Sequence, residues 1–506
     1  MITLVNPNLV LQREDMFTTG IVYMPVGLAY LAGALRSHGF ECRVIDAFGE
    51  QPGRYRLEGR FMTRGLTPEQ VCERVDPEST AIVLYAINVT YHRALAAIAQ
   101  ALHRRFPAIP LVVMENTQAV TAYSLRQVQD ELYGCGVSYV LTGEPEERGV
   151  RLMAALRDGG RPEAIVAIDG IGFRRDGGTH YSPPATRIAD LDTVAFPAWD
   201  LFPLANYWKL GYAHGPFETT SYLPLLTSRG CPYLCRFCVI PETNGVKWRA
   251  RSARNVVDEI EAHQRRFGVR EFHIEDVDPT VNDTRTREIC RELLRRDLHI
   301  IWKIAAGTKV ETLRDEETIA LMAEAGCRYI SISPESGSPR IMKAIDKPFD
   351  FKKAVRLIAK MNQVGIRSQA CFVLGFPGET DEDRRMTWDL VRELTRVGVD
   401  EIVLSIVVPI PGSAIFDQFE GYDDYSDLTF SPSWRADYPA LNAFRHRLYR
   451  QFLLWKLWYH PGKLARQPLN FLTRRFQTKM EMTPYRALRT TLMDVGLAGR
   501  RVRYES

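Results

Sequence analysis

Three of the nine cysteines stand close together in the sequence, at Cys231, Cys235 and Cys238. The remaining six are scattered singly, so the set does not resemble a disulfide framework. The C-x3-C-x2-C spacing puts three thiolates on one tight loop, which suits three corners of an iron-sulfur cube and leaves the fourth iron without a protein ligand. A structural zinc site needs four ligands, and His263 and His273 are not a second pair at metal spacing. A redox thiol pair or three incidental core cysteines would also be compatible with the motif, but the spacing favours a [4Fe-4S] cluster over both.

Acidic, hydroxyl and glycine residues follow three later predicted strands. Glu275 and Asp276 end the segment that starts at Glu271, Glu335 and Ser336 follow Ser333-Pro334, and Gly375 follows Cys371-Phe372-Val373-Leu374. In a parallel α/β sheet, ligands bind beyond the carboxyl ends of the strands. We therefore expect these residues to converge on the cysteine loop, although Glu275 and Asp276 also suit a solvated strand end.

The elements that must position these residues form two successive α/β alternations. The first predicts a Rossmann-like, doubly wound domain over residues 1–160, with ligands on the loops after Asn6, Ala86, Met114 and Thr142. Residues 161–220 are rich in Gly and Pro, which predicts a linker containing a small hairpin near residues 169–173. The predicted strands of the first domain are residues 2–6, 41–47, 81–86, 111–114 and 138–142.

A second alternation of strands and amphipathic helices predicts a domain over residues 221–415. Six such units with right-handed connections would curl into an open, partial (β/α)6 barrel resembling part of a TIM barrel. A small helical, basic region is predicted over residues 416–506. The predicted strands of the barrel are residues 223–227, 271–274, 300–304, 329–333, 368–374 and 402–408.

The bulk composition excludes several classes of protein. A chain of 506 residues exceeds one hydrophobic core, so two or three domains are expected. With 45% hydrophobic and 25% charged residues and no apolar run long enough to span a bilayer, a membrane span is not expected. The first residues lack the basic flank and cleavage site of a secretory signal. The prediction is a cytoplasmic protein.

Along its second domain the sequence resembles the radical S-adenosylmethionine (SAM) superfamily, and more specifically the subfamily with an N-terminal cobalamin (B12)-binding-type domain. The resemblance rests on the cysteine motif, Glu271 to Asp276, Ser333 to Ser338, Cys371 to Thr380 and Val408 to Ser413. It implies that SAM fills the open iron site through its amino and carboxylate groups. Reductive cleavage of SAM would then yield a 5'-deoxyadenosyl radical that abstracts hydrogen from an unactivated carbon.

The resemblance also assigns the SAM contacts. Phe237 would meet the adenine through its backbone, and Glu275 and Asp276 would take the amino group. Glu335 and Ser336 would contact the carboxylate and ribose, while Gly375 would let the backbone approach the nucleoside. An Arg often seen after the third strand is missing; Lys303 and Lys309 are both candidates to replace it. No catalytic residue beyond these contacts is assigned.

The N-terminal domain resembles the cobalamin-binding module through residues 25–32 and 140–146. It departs from the module in two ways, because no His follows the first strand and Glu115-Asn116 stand where Gly-Gly is usual. A bound cobalamin would then lack an imidazole ligand from that loop, and the two side chains would crowd its site.

Cobalamin-dependent methylation of a small-molecule or lipid-like substrate is the leading hypothesis. Cobalamin-independent radical cyclisation, oxidation or carbon-carbon coupling is the alternative, and a non-enzymatic Fe-S redox protein is a third.

Positive charge is concentrated near the carboxyl terminus. Residues 441–506 carry 14 Lys/Arg against 3 Asp/Glu, although the whole chain has a net charge of only +4. A helical cap whose aromatic residues pack on the barrel explains this best, and contact with a membrane surface comes next. A nucleic-acid partner is not expected, because no recognised RNA-binding module accompanies the charge. The radical chemistry implies a low-potential electron donor such as flavodoxin or ferredoxin.

Overall fold

A computed structural model describes residues 1–15, 18–117, 122–175, 177–347 and 349–498 as a mixed α/β fold. The strands are β1 (Ile2–Asn6), β2 (Leu9–Gln12), β3 (Cys42–Asp46), β4 (Tyr55–Glu58), β5 (Phe61–Arg64), β6 (Ala81–Ala86), β7 (Leu111–Glu115), β8 (Tyr139–Leu141), β9 (Ile171–Arg175), β10 (Gly178–Tyr181), β11 (Leu223–Leu225), β12 (Ser228–Arg229), β13 (Arg249–Ala250), β14 (Glu271–Ile274), β15 (Ile301–Thr308), β16 (Cys327–Glu335), β17 (Arg367–Leu374) and β18 (Glu401–Ile406).

Helices connect and cover these strands. They are α1 (Val26–Ser37), α2 (Ala47–Glu50), α3 (Pro68–Arg74), α4 (His92–Arg105), α5 (Leu125–Gly134), α6 (Pro145–Arg157), α7 (Pro162–Val166), α8 (Leu204–Leu210), α9 (Ile240–Thr243), α10 (Ala253–Phe267), α11 (Asp283–Arg295), α12 (Glu316–Glu324), α13 (Pro339–Ala344), α14 (Phe351–Val364), α15 (Asp381–Val397), α16 (Tyr438–Tyr459), α17 (Pro461–Ala465), α18 (Gln467–Thr473) and α19 (Lys479–Ala498). Short 3-10 turns lie at Val89–Tyr91, Leu191–Thr193, Trp199–Leu201, Phe416–Gln418 and Tyr425–Asp427.

The first sheet has the strand order β10-β9-β8-β7-β6-β1-β3. Its five strands from β8 to β3 are parallel, and every residue of β1, β6 and β7 is buried, as expected of strands covered by helices on both faces. The antiparallel strands β9 and β10 extend this sheet and include part of the segment expected as a linker. A separate three-stranded antiparallel sheet, β2-β5-β4, was not predicted from the sequence.

The second sheet has the order β11-β14-β15-β16-β17-β18, and all of its neighbouring strands are parallel. Sequential order with intervening helices gives the predicted partial barrel, and its described strands leave the sheet open rather than closed. In β17 and β18 the side chains of Cys371, Val373, Val403 and Ser405 are partly accessible, whereas their neighbours along each strand are buried. This period of two identifies the concave interior face of the barrel.

The carboxyl-terminal region packs against the last strands of the barrel. Leu448 and Phe452 of α16 are fully buried, and Trp455 meets Trp388 of α15 edge to face, with ring centroids 5.5 Å apart. Farther along, the Phe476 N–H donates to the Phe217 carbonyl, so this region also contacts the segment that leads into the barrel. No helix within the described ranges is long and apolar enough to cross a membrane.

Candidate active site

The cysteine motif lies on a loop between two short paired strands, β12 and β13, just past the carboxyl end of β11. Gly230 opens the loop with a φ of +82°, and a Cβ there would stand 2.3 Å from the Lys247 carbonyl oxygen, so only glycine fits. The Cys238 N–H donates to the Cys235 carbonyl at 3.0 Å, and the Arg236 N–H donates to the Ile345 carbonyl. These bonds fold the motif into one compact turn.

The three thiols are free, and Cys235 is buried whereas Cys231 and Cys238 are partly accessible. Burial raises the pKa of Cys231 to about 11 and that of Cys238 to about 12. The described residues contain no set of three His, Cys, Asp or Glu side chains already gathered in metal-binding geometry. The donor chemistry nevertheless fits an iron-sulfur cluster, because three free cysteines share one loop and thiolates are the ligands such clusters use.

Phe237 connects the cysteine loop to the end of β17. Its ring packs edge to face on Phe376, with centroids 5.4 Å apart, and the Lys347 ammonium lies 5.7 Å from the same ring. Gly375 precedes Phe376 and has a φ of +79°. A Cβ on Gly375 would stand 2.5 Å from Leu441, so the close approach seen at this glycine is to the carboxyl-terminal region.

Glu335 and Ser336 have different surroundings. Glu335 adopts a left-handed conformation, with a φ of +59°, and its buried carboxylate pairs with Lys347 beside the cysteine loop. The Ser336 hydroxyl is fully buried, lies 3.4 Å from that of Thr387 in α15, and accepts from the Ser338 N–H. The structure therefore brings Glu335 to the loop, whereas the contacts of Ser336 are with the covering helix.

Glu275 and Asp276 make contacts with different parts of the protein. Asp276 is fully buried and accepts hydrogen bonds from the Thr227 N–H and hydroxyl and from the Ser228 hydroxyl. It thus fixes the segment that leads into the cysteine loop. Glu275 remains partly accessible, and its Oε2 lies 2.7 Å from Nδ1 of His214.

His214 extends this contact into the interior of the barrel. Its Nε2 lies 3.4 Å from Nζ of Lys479, which also donates to the Ala305 carbonyl at 2.8 Å. Burial lowers the pKa of His214, and the Glu275 carboxylate opposes that shift. His214 and Lys479 come from regions expected to be a linker and a cap, so the sequence carried no signal that placed them here.

Lys309 and Asp278 each have a buried polar atom near the cysteine loop that lacks a hydrogen-bond partner among the described residues. One is Nζ of Lys309, which lies 3.3 Å above the ring of Tyr233 within the cysteine motif. The second is Oδ2 of Asp278, whose Oδ1 accepts from Thr308 and Thr312. The charges of Lys309 and Asp278 affect the pKa of Cys231, which places both residues near it. A free ammonium and a free carboxylate oxygen beside one loop complement the two charges of an amino acid group.

Lys303, the second candidate for the missing Arg, has a different role. Its ammonium is fully buried and pairs with Glu271 at 2.7 Å and Glu218 at 2.8 Å. It also donates to the Pro216 carbonyl. These partners occupy Lys303 in the barrel interior, whereas Lys309 stands free beside the cysteines.

The first sheet contacts the cysteine loop through its Gly143–Glu146 turn. Glu146 pairs with Arg229, which lies at the start of the loop, and Glu144 pairs with Arg249 in β13. All four side chains are buried. The turn that resembles the cobalamin module therefore also clamps the two strands that flank the cysteines.

Further contacts join the ligand-binding edges of the two sheets. The Asn244 amide, just after α9, donates to the Thr117 carbonyl past the end of β7, and the Ser124 N–H donates to the Pro411 carbonyl past the end of β18. The carboxyl ends of both sheets thus face each other beside the cysteine loop.

The side chains expected to crowd a cobalamin site lie along this edge. Glu115 uses both carboxylate oxygens to accept from the Leu125 and Gly143 N–H groups, and Asn116 donates to the Ile87 carbonyl at 2.8 Å. Residues 118–121, which continue this loop, are outside the described ranges. Glu115 and Asn116 therefore tie neighbouring loops together, and the edge keeps the topology that suits a flat ligand.

Comparison with known proteins places these features in a family. Residues 225–391 match the model of the radical SAM superfamily. Cytidylyl-2-hydroxyethylphosphonate methyltransferase of Streptomyces wedmorensis is 26% identical over 471 residues, covering 86% of this chain and 84% of the relative. Anaerobic magnesium-protoporphyrin IX monomethyl ester cyclase of Rubrivivax gelatinosus is 26% identical over 452 residues, covering 85% and 74%.

The fold has a solved counterpart. The radical SAM methyltransferase TsrM of Kitasatospora setae, solved with cobalamin and a [4Fe-4S] cluster bound, matches with a TM-score of 0.62 and 19% identity, covering 82% of this chain and 77% of that one. Residues 225–391 therefore form a radical SAM domain, and that superfamily uses a [4Fe-4S] cluster and SAM.

Proposed function

We propose that this radical SAM enzyme transfers a methyl group to an unactivated carbon of a small molecule, with cobalamin held between its two sheets. The observation that carries the proposal is the meeting of the two ligand-binding edges at the cysteine loop. The Glu144–Arg249 and Glu146–Arg229 pairs fix the first sheet directly against the strands that flank this loop. A ligand on the edge of the first sheet is therefore a neighbour of a ligand on the cysteines.

Cys231, Cys235 and Cys238 would hold the cluster, which when bound supplies the electron that cleaves SAM to methionine and a 5'-deoxyadenosyl radical. The free Lys309 ammonium suits the carboxylate of SAM and would take the place of the missing Arg, while the free Asp278 oxygen suits the amino group. Asp276 and Ser336 would support these segments from behind. The residues that would line the SAM site are Phe237, Glu275, Glu335 and Gly375.

The barrel interior would receive the substrate. Its accessible face combines the apolar Val373 and Val403 with the polar Cys371 and Ser405, and the contact of His214 with Glu275 and Lys479 closes one side. Their neighbours along each strand are buried, so a reactive carbon held against this face would be shielded from bulk water. A low-potential donor such as flavodoxin or ferredoxin would supply the electrons.

Cobalamin, when bound, carries a methyl group from a second SAM molecule to the substrate. The first sheet would hold it without a His ligand, because Pro7 and Asn8 follow β1. Gly143 and the backbone of the β6, β7 and β8 loops would face the corrin.

Radical cyclisation, oxidation or carbon-carbon coupling without cobalamin is the second candidate. The similarity to a cyclase over 85% of this chain favours it as the alternative to methylation. A non-enzymatic Fe-S redox role fits less well, because the three-cysteine motif leaves one iron open and the free polar atoms of Lys309 and Asp278 stand beside it.

The test uses anaerobically cluster-loaded protein incubated with cobalamin and SAM carrying a deuterated methyl group. We expect the protein to retain stoichiometric cobalamin through gel filtration and, with a low-potential reductant and a small-molecule extract, to form a product bearing the label. S-adenosylhomocysteine should accompany 5'-deoxyadenosine. A folded, cluster-loaded protein that retains no cobalamin but forms 5'-deoxyadenosine would overturn methylation and favour the second candidate.

A further inference from the structure

The exposed surface of helices α16 to α18 combines apolar and cationic side chains. Trp458 is 82% exposed and Leu472 is 78% exposed, although most side chains of this size are buried in the rest of the fold. The exposed apolar set, here called the apolar patch, is Leu453, Leu454, Leu457, Trp458, Leu469 and Leu472. Helix α16 thus has two apolar faces, one packed on the barrel and one facing outward.

Positive charge surrounds the apolar patch. Residues 441–475 contain eight Lys or Arg residues and no Asp or Glu. The exposed cations are Arg447, Arg450, Arg466, Arg474 and Arg475, none of which forms an ion pair within the described part of the chain. Solvated charged faces elsewhere in the protein mix both signs, as in α11, where Arg295 pairs with Glu292. The carboxyl-terminal surface carries one sign only.

A cationic cavity opens next to the patch. It has a volume of about 280 Å³, and its lining includes Lys456, His460, Lys463, Arg466 and Arg367 together with the carboxylates of Asp400 and Glu481. Asp400 is already paired with both Arg367 and Lys463. The cavity thus adds cationic side chains at the carboxyl-terminal end of α16, the helix that carries most of the apolar patch.

From this juxtaposition we propose that helices α16 to α18 dock on an anionic lipid surface, with the apolar patch entering the acyl boundary and the exposed arginines facing the headgroups. Exposed Trp and Leu beside Arg on one short helical segment is the pattern by which interfacial helices bind anionic membranes. The absence of carboxylates from residues 441–475 removes the repulsion that an acidic headgroup would otherwise meet. A protein partner or a second copy would not require this uniform charge.

The surface lies at the amino-terminal end of β17 and β18, because Lys463 contacts Asp400 and the Gly398 carbonyl just before β18. The cysteine loop lies at the opposite end of the barrel. Docking would therefore leave the cysteine loop and the edge of the first sheet free, and it does not depend on the reaction proposed above.

Vesicle flotation of the full-length, cluster-loaded protein tests the proposal. Vesicles of phosphatidylcholine alone are compared with vesicles of equal parts phosphatidylcholine and phosphatidylglycerol. We expect binding to the anionic vesicles to exceed binding to the neutral ones by about tenfold or more and to weaken as salt is added. Leu457→Ser with Trp458→Ser, and separately Arg474→Gln with Arg475→Gln, should each reduce binding by about tenfold.

Matched controls are Leu294→Ser, an exposed leucine on α11, and Arg254→Gln, an exposed arginine on α10. Both controls should bind as the wild type does, and circular dichroism should show every variant folded. Failure of the wild type to float with anionic vesicles overturns the proposal, as does unchanged binding of the patch variants. A dimer in lipid-free solution that Leu457→Ser with Trp458→Ser converts to a monomer, without vesicle binding, would assign the surface to a second copy instead.

Discussion

Among single residues, Lys309 shows what the structure adds to the sequence. By sequence, Lys303 and Lys309 are equal candidates to replace an absent Arg, because both lie in or just after the predicted third strand of the barrel. The contacts separate them, since Lys303 is neutralised by two carboxylates and Lys309 has a buried Nζ without a hydrogen-bond partner among the described residues. Partners that come from distant segments, such as Glu218, cannot be read from local spacing.

Replacing Lys309 with Met is predicted to weaken SAM binding without destabilising the protein. The loss of one charge-assisted hydrogen bond costs about 2 kcal/mol, or about thirtyfold in the dissociation constant. The unfolding midpoint of the SAM-free protein should change little, because relief from burying an ammonium without a hydrogen-bond partner offsets the lost contact with the Tyr233 ring. Calorimetric titration of cluster-loaded protein with SAM measures the first effect, with the exposed Lys343→Met as the control. Unchanged SAM affinity in Lys309→Met would argue against this contact.

Gly375 has a contact in the structure that its sequence motif did not indicate. The resemblance implies close approach of its backbone to a nucleoside, and the structure places the Leu441 side chain 2.5 Å from the position of a Cβ. The positive φ of Gly375 could be anticipated from the Gly-Phe-Pro-Gly sequence, but the contact with Leu441 depends on how the carboxyl-terminal region packs.

Two glycine variants separate the cost of a positive φ from the cost of the steric contact with Leu441. Gly365 has a φ of +82° and nothing within 4 Å of its Cβ position, so Gly365→Ala should cost about 1–2 kcal/mol from backbone strain alone. Gly375→Ala should cost more, because the new methyl group also meets Leu441 at 2.5 Å. Chemical unfolding of both variants measures the difference. Equal losses would show that Leu441 moves aside freely.

Among the secondary-structure elements, most strands and helices follow from hydrophobic periodicity. The strand predicted over residues 271–274 is β14 with the same bounds, and the amphipathic helices expected between the barrel strands are present. The predicted strand 300–304 is too short, since β15 continues to Thr308. The sheet β2-β5-β4 was missed, because its strands are only four residues long: β4 and β5 form a tight hairpin, and β2 joins it by pairing Leu9 with the distant Arg64.

The turn between β8 and α6 attaches the first sheet to the strands that flank the cysteine loop, through the Glu144–Arg249 and Glu146–Arg229 ion pairs. Glu144→Gln should destabilise the protein by about 3 kcal/mol, because it leaves the buried Arg249 without its charge partner. Chemical unfolding at neutral pH, with the exposed Glu147→Gln on the adjoining helix as control, measures this loss. A loss no larger than that of the control would mean that the Glu144–Arg249 ion pair contributes little to the stability of the fold.

The same variant has a predicted pH dependence. Burial alone raises the pKa of Glu144, but the Arg249 hydrogen bond and the charges of Arg229 and Arg249 outweigh it, so the folded pKa is lowered. A carboxyl with a lowered folded pKa stabilises the fold above its unfolded pKa of about 4.3 and loses that contribution as pH falls through the folded value. The stability difference between wild type and Glu144→Gln should therefore shrink in acid.

For the molecule as a whole, the sequence predicts two α/β units and a basic helical region, and the order of the sheets follows that plan. The division at residues 160, 220 and 415 remains a prediction. Within the segment expected to be a linker, β9 and β10 extend the first sheet, and His214 contacts Glu275 at the end of β14. The cap expected at the carboxyl terminus is present in part, since α16 packs on α15 and β18. The second, exposed apolar face of α16 could not be predicted, because the sequence does not show which of its Trp and Leu side chains pack against the barrel and which face solvent.

Initiation of radical chemistry on SAM at the cysteine loop can be tested with a single assay. Anaerobically purified, cluster-loaded protein is incubated with SAM and a low-potential reductant, and 5'-deoxyadenosine is quantified by mass spectrometry. We predict 5'-deoxyadenosine from the wild type and none from the folded variant carrying Cys231→Ala, Cys235→Ala and Cys238→Ala, which should also lack iron. Equal 5'-deoxyadenosine from both proteins, or none from a cluster-loaded wild type with any reductant or substrate extract, would show that the loop does not start this chemistry.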